Sequence, residues 1–303
     1  MQPAAKRVTL IHNPNAGWGD LSQSQLMTGL ERGGYEVRTA HPENGLGKRL
    51  AKQTDVVIAA GGDGTVNAVA RRLVNSGVPL IILPLGTANN LARTVGMEPT
   101  IECALETLSD PRERGLDIGV ATGSWGERFF SESAGAGWFC DALNEEVAKE
   151  ADKIIDNALT ALTKYLEDYR PQQWTLSLDG VDHSGEYLLI EVMSAKLLGP
   201  NVQLAPNADP FDGEFDVVLA TEKDRHKLLT YLDALRLGAE AKPPRLTRHR
   251  AKHVHFELGG EKAIRIDDAV RPKKGAIQSH FAELRLLPGA VRLWVPSKKR
   301  RSA

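Results

Sequence analysis

The chain has 303 residues, of which 42% are hydrophobic and 25% are charged, a composition typical of soluble globular proteins that are long enough for two domains. Its 38 Lys and Arg residues nearly balance 39 Asp and Glu residues, and the net charge of −1 predicts no nucleic-acid partner. The two cysteines, Cys103 and Cys140, imply no disulfide framework, and the first apolar run is too short for a signal peptide or a membrane span. We therefore expect a cytoplasmic protein.

The N-terminal part of the chain alternates short apolar runs with amphipathic segments. The predicted strands are Val8–His12, Tyr35–Ala40, Asp55–Ala60 and Pro79–Pro84. The predicted helices are Leu21–Arg32, Leu46–Lys52, Thr65–Asn75 and Asn89–Val95. Strands that alternate with helices indicate an α/β fold with a doubly wound parallel sheet, in which ligands bind beyond the carboxyl ends of the strands.

Three of these strands end in segments rich in turn-forming residues. The segments are Asn13–Gly19, Gly61-Gly62-Asp63-Gly64-Thr65 and Pro84–Asn90. Because the carboxyl ends of parallel strands share one edge of the sheet, the three segments are expected to converge there.

The second segment carries the clearest chemical signal. A strand that turns through glycines into a helix presents backbone N–H groups at the positive end of the helix dipole, which suits a phosphate. The glycines permit positive φ angles and let a bound group approach the main chain. Asp63 adds a carboxylate where a phosphate-bound metal ion or a reacting hydroxyl would lie.

After Pro111 the pattern changes to that of an antiparallel β-sandwich interrupted by one long helix, Asp141–Tyr169. Asp179-Gly180 is a predicted tight turn between two of the strands. The predicted strands are Leu116–Val120, Arg128–Ser133, Trp174–Leu178, Tyr187–Met193, Phe215–Ala220, Val254–Leu258, Ala263–Ile266, Phe281–Leu287 and Val291–Val295. We expect an α/β nucleotide-binding domain over residues 1–120, a β-sandwich over 121–290, and a strand with a basic tail over 291–303.

Several ordered motifs together resemble the diacylglycerol kinase catalytic-domain superfamily, which includes bacterial lipid kinases, sphingosine kinases and ceramide kinases. The resemblance begins with Asn13–Gly17, Gly61–Asn67 and Leu85–Arg93, and it continues over nearly the whole chain. Its later motifs are Phe129–Gly137, Leu198–Pro200, Leu204–Gly213 and Leu287–Pro296.

The resemblance implies transfer of the γ-phosphoryl group of ATP, with Mg²⁺, to the hydroxyl of a lipid such as diacylglycerol. It assigns a catalytic role to Asp63 and an additional Mg²⁺ to Asp212, where an Asp-Gly turn is the alternative interpretation. The implied nucleotide-binding residues are Asn13, Thr39, Gly61, Gly62, Asp63, Gly64, Thr65, Gly86, Thr87 and Asn89. For Asn13, an Asx turn before Pro14 is an equally good reading.

The sequence departs from the family at the general base. The resemblance places a glutamate at position 269, where this chain has Ala269, whose methyl group cannot accept a proton. If the segment is extended, Asp267 faces the same side as residue 269 and is one replacement base; Asp63 is the other. A nucleotide- or lipid-binding protein that has lost catalysis is therefore an open alternative, and a soluble-substrate kinase such as NAD kinase is another.

Two basic segments, Lys242–Lys252 and Lys298–Arg301, predict peripheral contact with anionic membranes, against the alternative of solvated loops. The acceptor lipid and the oligomeric state stay open, with a homodimer as one alternative.

Overall fold

The computed structural model describes residues 7–16, 21–40, 53–144, 155–259, 262–273 and 279–297. The chain divides into two compact units. The first comprises Met1–Ile118 with Pro288–Ala303, and the second comprises Gly119–Leu287. Two long strands, β5 (Pro111–Gly123) and β19 (Phe281–Pro296), have residues in both units.

The first unit contains a parallel sheet, as predicted. Its strands are β1 (Arg7–His12), β2 (Glu36–Thr39), β3 (Val56–Gly61), β4 (Leu80–Pro84) and the last part of β19. They lie in the order β2-β1-β3-β4-β19. Every residue of β3 and β4 is buried, which explains their uninterrupted apolar runs.

The helices of the first unit are α1 (Gln23–Arg32), α2 (Asp63–Leu73), α3 (Asn90–Val95) and α4 (Ile101–Ser109). A capping box between Ser22 and Gln25 starts α1. The sequence interpretation missed α4, although Thr100 caps it and apolar residues at helical spacing are buried along it. The predicted helix Leu46–Lys52 lies outside the described residues.

The second unit contains two antiparallel sheets that enclose a core including Phe130, Trp174, Phe215 and Phe256. The strands of one sheet are the end of β5, β6 (Gly126–Phe130), β8 (Gln172–Leu178), β9 (Val181–Asp182), β10 (Gly185–Tyr187), β16 (His253–Glu257) and the start of β19. The strands of the other are β7 (Ser133–Gly137), β11 (Leu189–Met193), β14 (Phe215–Ala220), β15 (Thr247–Ala251), β17 (Ile264–Ile266) and β18 (Ala269–Arg271). A short ribbon pairs β12 (Leu197–Leu198) with β13 (Val202–Gln203).

Three helices cover the second sheet on the face away from this core. They are α5 (Trp138–Asn144), α6 (Ile155–Asp168) and α7 (Arg225–Arg236). Because side chains alternate along a strand, Leu189 and Met193 of β11 face the helices, while Ile190 and Val192 face the sandwich core. Both faces of this sheet are therefore buried.

The predicted helix Asp141–Tyr169 corresponds to α5 and α6, with residues 145–154 outside the described part of the chain. The sequence interpretation missed α7, whose polar sequence buries only a narrow stripe that includes Leu228 and Leu232. The Asp179-Gly180 turn is confirmed, with both residues at positive φ between β8 and β9.

Candidate active site

The segment after β1 is tied to the glycine-rich turn. The backbone N–H of Asn13 donates to the Ala60 carbonyl at 3.0 Å, and its side-chain Nδ2 donates to Thr65 Oγ1 at 3.2 Å. Asn13 Oδ1 accepts from the Asn15 N–H at 3.0 Å, which confirms the Asx turn. Asn13 thus holds the first strand end against the second. Gly17–Gly19 of this segment lie outside the described residues.

The glycine-rich turn connects β3 directly to α2. Gly62 is the N-cap, and the N–H groups of Thr65 and Val66 donate to its carbonyl at 3.0 and 3.1 Å. The positive φ that glycine permits is not used at Gly62, whose φ is −84°. Close approach requires glycine instead, because a Cβ at Gly61 would lie 2.6 Å from the Thr65 side chain.

The segment after β4 packs against this turn. A Cβ at Gly86 would lie only 2.3 Å from the Cα of Gly62. Asn89, at φ 54°, accepts from the Gly86 N–H at 3.0 Å through Oδ1, and its Nδ2 donates to the Gly86 carbonyl at 2.6 Å. Asn89 therefore positions the loop with both polar atoms of its side chain, while Thr87 is exposed.

The close contact at Gly86 predicts a large effect of one added methyl group. Gly86→Ala is expected to lower stability by about 1–3 kcal/mol, because its Cβ overlaps the Gly62 backbone. Displacement of the loop should also weaken nucleotide binding by about tenfold or more, which corresponds to about 1.4 kcal/mol. Thermal unfolding and titration with a non-hydrolysable ATP analogue measure both effects.

Gly259→Ala is the matched control, because a Cβ there would meet nothing within 4 Å. Equal effects of the two substitutions would contradict a specific role for the Gly62–Gly86 contact.

Asp63 is the first residue of α2 and is half-buried. Helix N-termini carry backbone N–H groups that the helix itself does not satisfy, together with the positive end of the macrodipole. The glycines beside it pack so closely that a Cβ on Gly61 or Gly86 would overlap neighbouring atoms. The start of α2 fits a phosphate-bearing ligand such as ATP, and the catalytic role of Asp63 stays a prediction.

Thr39 lies apart from this group. It is the exposed last residue of β2 and pairs with Leu10 of β1. With strands about 4.8 Å apart, β2 lies about 10 Å from β3, on the far side of β1. The structure thus brings together Asn13, the glycine-rich turn and Gly86–Asn89, but it does not bring Thr39 into contact with them.

In the second unit, Asp267 lies in the turn between β17 and β18, at φ 50°. Its carboxylate accepts backbone N–H groups of Ser131, Glu132 and Ser133 at 3.3, 3.1 and 3.4 Å. The residue is only 5% exposed. Its carboxylate holds a neighbouring backbone segment, an arrangement that favours an anchoring role over proton transfer.

The extended conformation considered for this segment is wrong. Ile266 pairs with Ala269 across a two-residue turn formed by Asp267 and Asp268. The alternation that would place residues 267 and 269 on one face of a strand therefore does not apply. A catalytic role for Asp267 stays a prediction.

The sequence interpretation missed a buried ion pair beside this turn. Arg265 and Glu191 contact at 2.7 Å, with side-chain exposures of 3% and 0%. Arg265 also donates to Ser133 Oγ at 2.8 Å and to the Asp267 carbonyl. Burial raises the pKa of Glu191, and the Arg265 charge opposes that rise. The sequence signal for this ion pair was one charged residue within each of two otherwise apolar strands, β11 and β17.

Asp212 is engaged in a different way from that implied by the resemblance. Its Oδ2 lies 2.5 Å from Arg250, and its Oδ1 accepts the Glu214 N–H at 3.1 Å. Arg250 also contacts the Glu214 carboxylate at 2.7 Å, and the pair with Asp212 raises the pKa of Arg250. This guanidinium competes with a Mg²⁺ ion for the Asp212 carboxylate, and the metal role of Asp212 stays a prediction. Among the described residues, no group of three or more His, Cys, Asp or Glu side chains could hold a metal.

This ion pair predicts a specific response to metal. Mg²⁺ added without nucleotide should leave the Tm of the wild-type protein unchanged, because Arg250 already neutralises Asp212. In the Arg250→Gln variant the Tm should rise with added Mg²⁺, because the ion then binds the Asp212 carboxylate of the folded protein and stabilises it. Asp212→Asn in the Arg250→Gln background is the control and should remove that rise. A Mg²⁺-dependent Tm in the wild-type protein, lost in Asp212→Asn, would contradict the ion-pair assignment.

Comparisons with known proteins cover both units. The diacylglycerol kinase catalytic domain matches residues 7–121, and the YegS C-terminal NAD kinase beta sandwich-like domain matches residues 139–295. No helix among the described residues is long and apolar enough to cross a membrane.

Similar curated proteins carry kinase names. A diacylglycerol kinase of Mycobacterium tuberculosis is 28% identical over 295 residues, covering 93% of this chain and 94% of the relative. One from Bacillus subtilis strain 168 is 26% identical, covering 86% of this chain and 89% of the relative.

Solved structures share the fold. One from Bacillus anthracis strain Sterne has a TM-score of 0.76 at 22% identity and covers 98% of this chain and 97% of its own. Another, a diacylglycerol kinase of the same strain, has a TM-score of 0.69 at 20% identity, and the match covers 98% of this chain and 99% of that structure's chain. The family predicted from the motifs is confirmed: the chain belongs to the lipid kinase family that joins a diacylglycerol kinase catalytic domain to a YegS-type C-terminal domain.

Proposed function

We propose that this protein transfers the γ-phosphoryl group of ATP to the hydroxyl of a lipid such as diacylglycerol, in a Mg²⁺-dependent reaction. The observation that carries the proposal is the convergence of Asn13, the glycine-rich turn and Gly86–Asn89 around the start of α2. In this proposal the first domain binds the nucleotide and the second domain binds the lipid.

The residues at the strand ends have distinct proposed roles. Backbone N–H groups of the glycine-rich turn bind phosphate oxygens, and Asn13 and Asn89 keep the flanking segments in position. Mg²⁺ bound with the nucleotide supplies charge neutralisation on the phosphates. Positioning and electrostatics account for most of phosphoryl-transfer catalysis, and this chain supplies both through its backbone.

Asp63 is the proposed base. The lipid hydroxyl oxygen forms the new bond to the γ-phosphorus, the bond from that phosphorus to the bridging oxygen breaks, and ADP leaves with the bond electrons. The hydroxyl proton passes to the Asp63 carboxylate. Ala269 cannot take this proton, and the Asp267 carboxylate is occupied by three backbone N–H groups.

One observation favours a second candidate function. Ala269 stands where the resemblance implies the catalytic glutamate, which fits a nucleotide- or lipid-binding protein without kinase activity. General-base catalysis contributes about 10²–10⁴-fold, so loss of the glutamate alone leaves a slow kinase.

The test incubates purified protein with Mg-ATP and diacylglycerol, a sphingoid base or ceramide in detergent micelles, and separately with NAD without detergent. We expect a phosphorylated lipid and no phosphorylated NAD. Product from NAD alone would overturn the lipid assignment in favour of a soluble-substrate kinase.

Ala269→Glu separates the two candidate functions. A small change in rate supports Asp63 as the base. A rise from no measurable product to a clear rate supports the binding protein.

We also propose a cytoplasmic location with peripheral membrane contact, since a lipid acceptor lies in the bilayer. Lys298–Arg301 of the basic tail lies outside the described residues. Within Lys242–Lys252, Arg250 is already engaged by Asp212 and Glu214, so membrane contact must depend on other residues of the segment.

A further inference from the structure

A cavity of about 430 Å³ lies between α7 and the segment that follows it, within the second unit. Its volume is in the range of small-ligand sites. One face of α7 and residues 241–245 form its walls. The lining residues are His226, Lys227, Thr230, Tyr231, Ala234, Ala241, Lys242, Pro244 and Arg245.

The charge of this lining has one sign. Lys227, Lys242 and Arg245 contribute cationic groups, and none of the described residues that line the cavity carries a carboxylate. Asp224 contacts Lys227 at 2.8 Å and neutralises it, which leaves Lys242 and Arg245 as the cations that set the charge of the cavity. Such a lining attracts an anion, and a phosphate is the anion that lysine and arginine bind most readily.

The remaining lining residues are His226, Thr230 and a set of aromatic and apolar side chains. Tyr231 is 5% exposed, and its hydroxyl accepts the Gln203 N–H at 3.1 Å, so the floor of the cavity is fixed. Leu237 follows three residues after the lining residue Ala234. At 74% exposure it is the most exposed large apolar side chain of the described residues. A basic cavity beside a projecting leucine matches the two layers of a membrane surface, anionic headgroups above acyl chains.

We propose that this α7 cavity binds the headgroup phosphate of an anionic phospholipid and thereby docks the protein on the membrane. Lys242 and Arg245 contact the phosphate, and Leu237 enters the acyl layer. The proposal concerns membrane binding and not phosphoryl transfer, so binding to vesicles tests it without any turnover.

The test measures co-sedimentation with vesicles of phosphatidylcholine alone and of phosphatidylcholine mixed with phosphatidylglycerol. We expect binding only to the mixed vesicles. Each basic residue near an anionic surface contributes about 1 kcal/mol, so the double variant Lys242→Gln/Arg245→Gln should bind about 30-fold more weakly.

The matched control is Arg32→Gln/Arg112→Gln, which removes two exposed charges from the first unit. It should bind like the wild-type protein. An equal loss in the control would overturn the cavity assignment, since it would indicate a general charge effect. Thermal unfolding confirms that both double variants are folded.

Soluble phosphate compounds test whether the bound phosphate belongs to a membrane lipid or to a soluble ligand. We expect millimolar inorganic phosphate or glycerol 3-phosphate to leave vesicle binding unchanged, and Leu237→Ser to weaken it. The membrane assignment would be overturned in favour of a soluble ligand by two results together. The wild-type protein would bind glycerol 3-phosphate tightly but not bind vesicles, and Lys242→Gln/Arg245→Gln would abolish the binding of glycerol 3-phosphate.

Discussion

Asp63→Asn is expected to lower kcat for lipid phosphorylation by about 10²–10⁴-fold, the range that general-base catalysis supplies. The amide keeps the shape of the side chain but cannot take the hydroxyl proton. Because Asp63 lies in the first turn of α2, the substitution also removes a favourable interaction with the helix dipole, worth about 0.3–1 kcal/mol. Steady-state kinetics and thermal unfolding separate these two effects.

Glu102→Gln is a close control for this substitution. Glu102 is an exposed acidic residue in the first turn of α4, so the change removes a similar dipole interaction outside the glycine-rich turn. We expect a similar small loss of stability and an unchanged kcat. If Asp63→Asn keeps wild-type kcat while Asp267→Asn loses it, the base has been assigned to the wrong carboxylate.

Arg265→Met is expected to lower the free energy of unfolding by about 3–5 kcal/mol, because it leaves the Glu191 carboxylate buried without its partner. That is a large part of the total stability of an ordinary protein, about 5–15 kcal/mol. Replacing both partners, as Glu191→Leu/Arg265→Met, should recover much of the loss, since no charge then remains buried. Urea unfolding followed by circular dichroism measures all three proteins.

Arg285 and Glu127 form an exposed ion pair that serves as the control for the buried pair of Arg265 and Glu191. Arg285 contacts Glu127 at 2.7 Å, the same distance as the buried pair, but the two side chains are 49% and 55% exposed. Arg285→Met should therefore cost only about 0–1 kcal/mol. Equal losses at Arg285 and Arg265 would show that burial does not determine the contribution of the pair.

The pH dependence of Arg265→Met has a definite sign. Burial raises the pKa of Glu191, and without Arg265 nothing opposes that rise. The folded variant then binds a proton more readily than the unfolded chain does, so its stability falls as pH rises through the folded pKa. The difference in stability between Arg265→Met and the wild-type protein should shrink as pH falls toward the ordinary pKa of glutamate. A difference that widens instead would contradict the interpretation that Glu191 is left buried and unpaired.

The sequence predicted that the turns after β1, β3 and β4 lie together, because the signals for this arrangement are local. Glycines after β3 and β4 mark close backbone approaches, and parallel strands bring such turns to one edge of the sheet. The roles of individual side chains were less predictable. Asn89 lies in the expected loop, but its bonds to Gly86 depend on a backbone conformation that the residue type does not specify.

Features that depend on distant contacts were not predictable. Arg265 and Glu191 are 74 residues apart, and only the sheet places them side by side. Asp267 has the alternation of a strand residue in the sequence, yet a tight turn directs its carboxylate to Ser131–Ser133. Helix α7 was missed because its periodicity is weak, and its buried stripe is defined only by packing against α6 and the sheet.

Transfer of radiolabel from γ-labelled ATP to diacylglycerol, compared between the wild-type protein and Asp63→Asn, measures the proposed reaction and the role of its base together. We expect labelled phosphatidic acid with the wild-type protein and about 10²–10⁴-fold less with Asp63→Asn, while both proteins still bind an ATP analogue. Equal label transfer by the two proteins, or none by the wild type with any lipid alcohol, would contradict the proposal.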